Sequence, residues 1–140
     1  MDLKIFKAYD IRGKYPKEIN EKIVSKITDA LGRYFINLKP KTKNLKLKVV
    51  LGRDARLSSP SLYRAAVNQF KTQSSKLKTI PAGLMTTPML YFLVNHFNAD
   101  LGIMITASHN PKEYNGLKIV GKKTIPISGN EVLRIMNNEL

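Results

Sequence analysis

Leu101-Gly102-Ile103-Met104-Ile105 is a short, uncharged apolar run that breaks into Thr106-Ala107-Ser108-His109-Asn110-Pro111, and a second apolar run starts at Tyr114. The first run predicts a buried strand, the polar string an exposed loop, and Tyr114 to Val120 another strand. Asn110-Pro111 and Asn115-Gly116 are turn dipeptides that punctuate this stretch. Ser108 therefore falls where a rigid strand hands over to a loop. A nucleophile is well placed there, because the scaffold fixes it and the loop exposes it.

The rest of the chain supplies partners for that strand. Ile5 to Tyr9 alternates as a short strand, and Asp10 to Lys14 reads as a loop closed by Gly13. From Glu18 to Phe35, residues Ile19, Ile23, Ile27, Leu31 and Tyr34 recur on one helical face. A lysine-rich connection leads from Leu38 to Lys46. Leu47 to Leu51 is a strand ended by Gly52, and Gly52 to Arg56 is a loop. Ser59 is the expected N-cap and Pro60 the first residue of a second helix, with Leu62, Ala66, Val67 and Phe70 on its apolar face and its end near Ser74. Thr79 to Leu84 is extended, and Pro81 assigns it to an edge or a strand end. Thr86-Thr87-Pro88 opens a third helix that runs to about Phe97, with Leu90, Leu93, Val94 and Phe97 facing the core and His96 on its surface. Leu117 to Val120 pairs with a short strand at Ile125 to Ile127 across a turn at Gly121 and Lys122. Ser128 and Glu131 form a capping box for a last helix, Gly129 to Glu139. The order βαβαβαββα predicts an α/β fold of three layers, α/β/α: a mixed, mostly parallel sheet covered by helices on both faces.

With 140 residues the chain fits one domain, residues 1–140. A hydrophobic share of 43% is enough for a packed core. The absence of cysteine excludes disulfides and thiolate metal sites. Met1-Asp2-Leu3-Lys4 has no signal-peptide pattern, and no apolar run is long enough to span a membrane, so a cytoplasmic protein with no membrane partner is expected. The net charge of +14 suits a protein that handles anionic phosphates. It can also mark nucleic-acid binding. Five lysines lie between Lys39 and Lys48. That run has no interleaved aromatics, so a solvated connection is expected there, and no nucleic-acid partner.

A Ser-His pair by itself is more simply a polar turn, and adjacency does not make a catalytic dyad, since nucleophile and base meet in space. The whole string Thr106-Ala107-Ser108-His109-Asn110-Pro111, followed by Tyr114-Asn115-Gly116-Leu117-Lys118, closely resembles the phosphoserine loop of the α-D-phosphohexomutases, the family of phosphomannomutase and phosphoglucomutase. Phe6-Lys7-Ala8-Tyr9-Asp10-Ile11-Arg12-Gly13 resembles a second segment, in the form of the phosphomannomutase/phosphoglucomutase branch. Gly52-Arg53-Asp54-Ala55-Arg56 is similar to a third, which in the family buttresses the phosphoserine loop. Alone, Asp10 and Arg12 would read as a salt bridge stiffening a turn.

The resemblance implies an isomerase that moves a phosphoryl group between the 1- and 6-positions of a mannose or glucose phosphate. It makes Ser108 the phosphoryl carrier, with hexose 1,6-bisphosphate as intermediate and activator. A phosphoserine carries about −1.5 to −2 charge, and one of its oxygens is implied to ligate Mg²⁺. His109 and Asn110 are implied to line the cleft, Tyr9 to flank it, and Lys118 to reach the phosphate or the attacking hydroxyl. Arg12 and Lys118 are implied to manage the hydroxyl proton. The very high pKa of arginine favours electrostatic positioning for Arg12.

The resemblance covers only the first of four family domains. The family's metal loop, of the form Asp-Gly-Asp-x-Asp-Arg, is absent, as are its sugar-recognition and C-terminal phosphate-binding loops. The Asp ligands of Mg²⁺ are thus expected in a missing domain, and the remaining mutase domains are expected partners alongside the phosphosugar. An excised domain, a truncated reading frame and one piece of a split enzyme all fit, and the 140-residue chain alone is expected to be inactive. The alternative function is a stand-alone phosphosugar- or nucleic-acid-binding module that kept the fold without catalysis.

Overall fold

In the computed structural model, which describes residues 1–39 and 45–140, six strands form one sheet in the order β1-β5-β4-β2-β3, with β6 also on β5. The strands are β1 (Ile11–Lys14), β2 (Leu47–Arg53), β3 (Leu77–Leu84), β4 (Leu101–Ile105), β5 (Tyr114–Gly121) and β6 (Pro126–Ile127). The helices are α1 (Glu21–Leu38), α2 (Ser59–Lys71), α3 (Thr87–His96) and α4 (Gly129–Met136). Among the described residues β5 is the one reversed strand. It runs antiparallel to β1, β4 and β6, while β2 is parallel to both β3 and β4. The expected mixed, mostly parallel sheet is what the chain forms.

Alternation along the strands decides the two cores. Val49, Leu51, Leu101, Ile103, Ile105, Leu117 and Ile119 face α1, α2 and α4. Val50, Met104 and Val120 face α3 through Leu90 and Val94. Every residue of β4 is buried, as a central strand covered on both faces must be. β3 lies at the sheet edge and carries Pro81 there, where a missing N–H costs no ladder bond. The capping box at Ser128 is present in full.

Several elements sit elsewhere than local pattern predicts. Ile5 to Tyr9 is no strand: Leu3–Ile5 is a 3-10 turn, and Phe6 makes a single bridge to Ile11. The Lys7 amide donates to the Asp10 carbonyl at 2.8 Å, so residues 7 to 10 form a tight turn and the strand follows it as β1. Asn115-Gly116 is no turn either. Both residues are buried inside β5, and a Cβ on Gly116 would collide with the Ile11 carbonyl. Glycine there allows β1 to approach β5, a long-range need that looks locally like turn chemistry. Helix α2 has Ser58 rather than Ser59 as N-cap, with no side-chain capping bond. Helix α1 starts after Asn20, whose side chain accepts from the Ile23 amide.

The expectation of a solvated Lys39–Lys48 connection falls largely on residues 40–44, outside the described residues. Lys39 itself departs from it. Its ammonium lies 3.3 Å from the buried Asp100 carboxylate and donates to the Lys46 carbonyl at 3.0 Å.

The α4 cap yields a measurable expectation. Ser128 accepts from the Glu131 amide at 3.1 Å, and Glu131 accepts from the Ser128 amide at 2.7 Å. Hydrogen bonds from the Ser128 backbone and, second, from the Ser128 side chain hold the Glu131 carboxyl below its ordinary value, and alanine would remove only the second. A carboxyl lowered by folding stabilises above its unfolded pKa, and that contribution fades as pH falls through the folded one. Ser128→Ala should therefore cost about 1 kcal/mol at neutral pH. The gap between the variant and the parent should narrow below about pH 4. Thermal melts at pH 7 and pH 3 check both parts, and an equal loss at the two values would contradict the cap argument.

Candidate active site

Where β4 ends, the chain turns sharply. Ser108 adopts a left-handed backbone with φ of 54°, uncommon for a residue with a side chain. Its backbone is held from both sides. The Ser108 amide donates to the Thr106 hydroxyl at 3.1 Å, and its carbonyl accepts from the Arg56 guanidinium at 2.9 Å. Its own hydroxyl makes no hydrogen bond among the described residues, and the residue is half-exposed.

Arg56 is the clamp on this loop. One of its terminal nitrogens donates to the carbonyls of Ser108 and Asn110 at 2.9 and 2.7 Å. The other donates to those of Pro111 and Tyr114 at 2.8 and 3.1 Å. The Nε lies 3.3 Å from the Asp54 carboxylate. The four terminal N–H groups of the guanidinium are thus all hydrogen-bonded, and its Nε faces a carboxylate.

Asp54 ties the clamp to the sheet. Its amide donates to the Ile105 carbonyl at 3.0 Å. One carboxylate oxygen accepts from the Arg56 amide at 3.0 Å and from the Ser59 hydroxyl. The other accepts from the Thr106 hydroxyl at 2.8 Å. The buried Asn115 amide donates to the hydroxyls of Ser58 and Ser59 at 2.8 and 3.0 Å. Buried polar groups need such partners, and this network supplies them under the loop. The buttress by the Gly52–Arg56 loop thus has a definite form.

Arg12 approaches from β1. In the β1–β5 register it lies opposite Gly116, so alternation puts it on the α3 side of the sheet with Lys118, which lies opposite Met104. Its guanidinium binds the Asp10 carboxylate and donates to the Asn110 side chain, each at 2.6 Å. The turn-stiffening pair of Asp10 and Arg12 therefore exists, and it aims Arg12 at the loop. A cleft of about 520 Å³ is lined by Lys4, Lys7, Tyr9, Arg12, Asn110 and Tyr114, with Asp10 and Glu18 among its other walls. Tyr9 is 86% exposed at its rim.

The structure thus gathers Tyr9, Arg12 and Asn110 in one cleft. Ser108 and His109 sit on the adjoining loop and Lys118 on the neighbouring strand, and these three do not line that cleft. His109 is exposed and Lys118 half-buried. Neither is hydrogen-bonded to Ser108 among the described residues. Sequence reading assigned no individual role to Thr106, Ser58 or Asn115, took Ser59 as a helix cap, and had Asp54 only as part of the buttressing Gly52–Arg56 segment. The available signal was polar residues crowded beside strands that must be buried.

Among the described residues no group of three or more His, Asp or Glu side chains is placed to hold a metal ion. No helix among them is long and apolar enough to cross a membrane.

A family model described as phosphoglucomutase/phosphomannomutase, alpha/beta/alpha domain I, matches residues 3–139. A phosphomannomutase of Salmonella typhimurium is 44% identical over 132 residues, covering 94% of this chain and 26% of that protein. A Klebsiella pneumoniae phosphomannomutase is 42% identical over 132 residues, 94% of this chain and 77% of the relative. The crystal structure of a phosphoglucomutase/phosphomannomutase family protein from Burkholderia thailandensis superposes with a TM-score of 0.81 at 28% identity, covering 100% of this chain and 31% of the other. The chain thus spans about a quarter of the length of relatives such as the Salmonella protein.

Proposed function

Because this chain belongs to the phosphoglucomutase/phosphomannomutase family, in which it matches domain I, we propose that it is the domain that stores and transfers phosphate through Ser108. In this reading the Oγ–P bond of phosphorylated Ser108 breaks as a sugar hydroxyl oxygen bonds to phosphorus, and the proton lost by that hydroxyl ends on the freed Ser108 oxygen. The resulting hexose 1,6-bisphosphate turns over in the site. Its other phosphate returns to Ser108, releasing the isomeric monophosphate. Phosphoryl transfer depends mainly on positioning and charge neutralisation, and the chain's contribution is of that kind.

The observation that carries the reading is the state of Ser108. Its backbone is pinned by Thr106 and Arg56 while its hydroxyl stays uncommitted. Arg12, held by Asp10, presents its charge beside Asn110 and serves to orient oxyanions. Lys118, on the same side of the sheet, serves the phosphate or the attacking hydroxyl. Asn110 and His109 shape the loop mouth, and Tyr9 flanks it. Mg²⁺, when bound, would neutralise phosphate charge. Among the described residues no group of three or more His, Asp or Glu side chains is placed for a cation, and in this reading a phosphate on Ser108 shares the ion with carboxylates of the remaining mutase domains. The sugar, the cytoplasmic setting and the remaining mutase domains belong to the same proposal. The rival nucleic-acid-binding module gains no support from relatives whose names are those of mutases.

Phosphopeptide mapping of the purified mutase that contains this chain should find phosphate on Ser108. Phosphate on another residue of the chain would overturn the assignment.

A further inference from the structure

We propose that Thr106 is a positioning residue that sets the left-handed backbone of Ser108 through a hydrogen-bond relay of fixed direction. An ionised carboxylate only accepts, so the 2.8 Å contact between Asp54 and Thr106 must be donated by the threonine hydroxyl. A hydroxyl has one proton. With that proton committed to Asp54, only lone pairs remain to meet the Ser108 amide, 3.1 Å away. The direction of the relay is therefore Ser108 N–H to Thr106 Oγ to Asp54 carboxylate.

A φ of 54° at Ser108 is a minority state that its surroundings must impose. Arg56 holds the carbonyl of Ser108, which leaves the amide end of the residue to Thr106. Thr106 is itself anchored, since its amide donates to the Gly116 carbonyl at 3.0 Å. The relay thus connects the α2 loop, the end of β4 and β5 to one peptide unit. It also uses up the Ser108 amide, so that amide is not available to a phosphate on the Ser108 side chain.

The geometric part stands on the unphosphorylated chain, and the catalytic part rests on the reading of Ser108 as phosphoryl carrier. Three variants separate them: Thr106→Val removes the hydroxyl at constant shape, Thr106→Ser keeps it, and Asp54→Asn puts a donor where only an acceptor stood. Amide hydrogen exchange by NMR on the 140-residue chain should show the Ser108 amide exchanging about 10-fold faster or more in Thr106→Val and in Asp54→Asn. Thr106→Ser should stay within about 2-fold of the parent. Unchanged exchange in folded Thr106→Val, or failure of Thr106→Ser to retain protection, overturns the relay. If Thr106→Val does not fold, Thr106→Ser and Asp54→Asn decide the matter alone. In the mutase that contains the chain, Thr106→Val should lower kcat by up to about 100-fold at nearly constant KM, because a small displacement of a reacting group costs that much. A normal kcat with a lost relay would overturn the positioning role. Phosphate found elsewhere than Ser108 would instead refute the carrier reading and leave the amide result standing.

Discussion

If Ser108 is the phosphoryl carrier proposed above, Ser108→Ala in a mutase that contains this chain should lower turnover by about 10³-fold or more and leave the fold in place. The expected size follows from the proposed role, since the change removes the oxygen that would form and break the covalent bond. Among the described residues no second serine shares its setting: Ser58 and Ser59 have their hydroxyls bound to Asn115. The fold survives because the hydroxyl of Ser108 has no partner to lose, and alanine adopts the same backbone at similar cost. Substitutions away from such partners usually change stability by no more than about 0.5 kcal/mol. Ser108→Thr should also fail, although it keeps a hydroxyl, because a β-branched side chain is badly strained at φ of 54°. A coupled assay with glucose 1-phosphate or mannose 1-phosphate and Mg²⁺, read beside a thermal melt, makes the check. Near-normal turnover by Ser108→Ala would remove the mechanism.

How far the sequence reached depends on the distance over which each feature is decided. Helices α1 to α4, the strand β4 and the capping box at Ser128 were legible because period and cap are local. The edge position of β3 was legible in Pro81. The strand at the N-terminus was not. Ile5 and Phe6 are apolar and alternate, but what makes β1 a strand is the edge of β5, more than 90 residues away in sequence. At Asn115-Gly116 the strand reading of the run from Tyr114 held and the turn reading of the dipeptide failed, for the same reason. Its chemistry suits a turn, and only the neighbouring Ile11 carbonyl and Ser58 and Ser59 hydroxyls show why these two residues belong in a strand.

The candidate site divides along the same line. Ser108, His109 and Asn110 announce themselves as a string at a strand end, and Tyr9 and Arg12 as another. The aim of Arg12 at Asn110 is a contact across 98 positions, and it became visible only through family resemblance. The resemblance pointed to the Gly52–Arg56 segment as the buttress of the loop, but its hydrogen-bond partners were hidden. Thr106 reads as an ordinary loop residue, Asn115 as half of a turn dipeptide, and Ser59 as a helix cap, until the carboxylate of Asp54 is placed among them.

Arg56→Lys should be among the most damaging charge-conserving changes in the chain. Lysine keeps the positive charge and loses the planar fork. Four carbonyls, those of Ser108, Asn110, Pro111 and Tyr114, depend on two terminal nitrogens of Arg56 set at a fixed angle. A single ammonium cannot reach all four and the Asp54 carboxylate together. The Arg56 side chain is only 15% exposed, so water replaces the lost bonds incompletely. Hydrogen bonds to a charged group are worth about 1.5–3 kcal/mol each, and the loop can relax toward solvent to recover part of the loss. A net cost of about 2 kcal/mol is the expected balance, a fall of about 8 °C in Tm for a domain of this size. The loss should be uneven. Amides of residues 106 to 114 should exchange much faster, while those of α1 and β2 change little, because the clamp holds one loop to a sheet that is packed independently of it. Arg56→Ala should behave nearly as badly as Arg56→Lys, since geometry and not charge is what fails. If Arg56→Lys melts within about 2 °C of the parent with unchanged loop exchange, the four-carbonyl clamp is not what holds Ser108 in place.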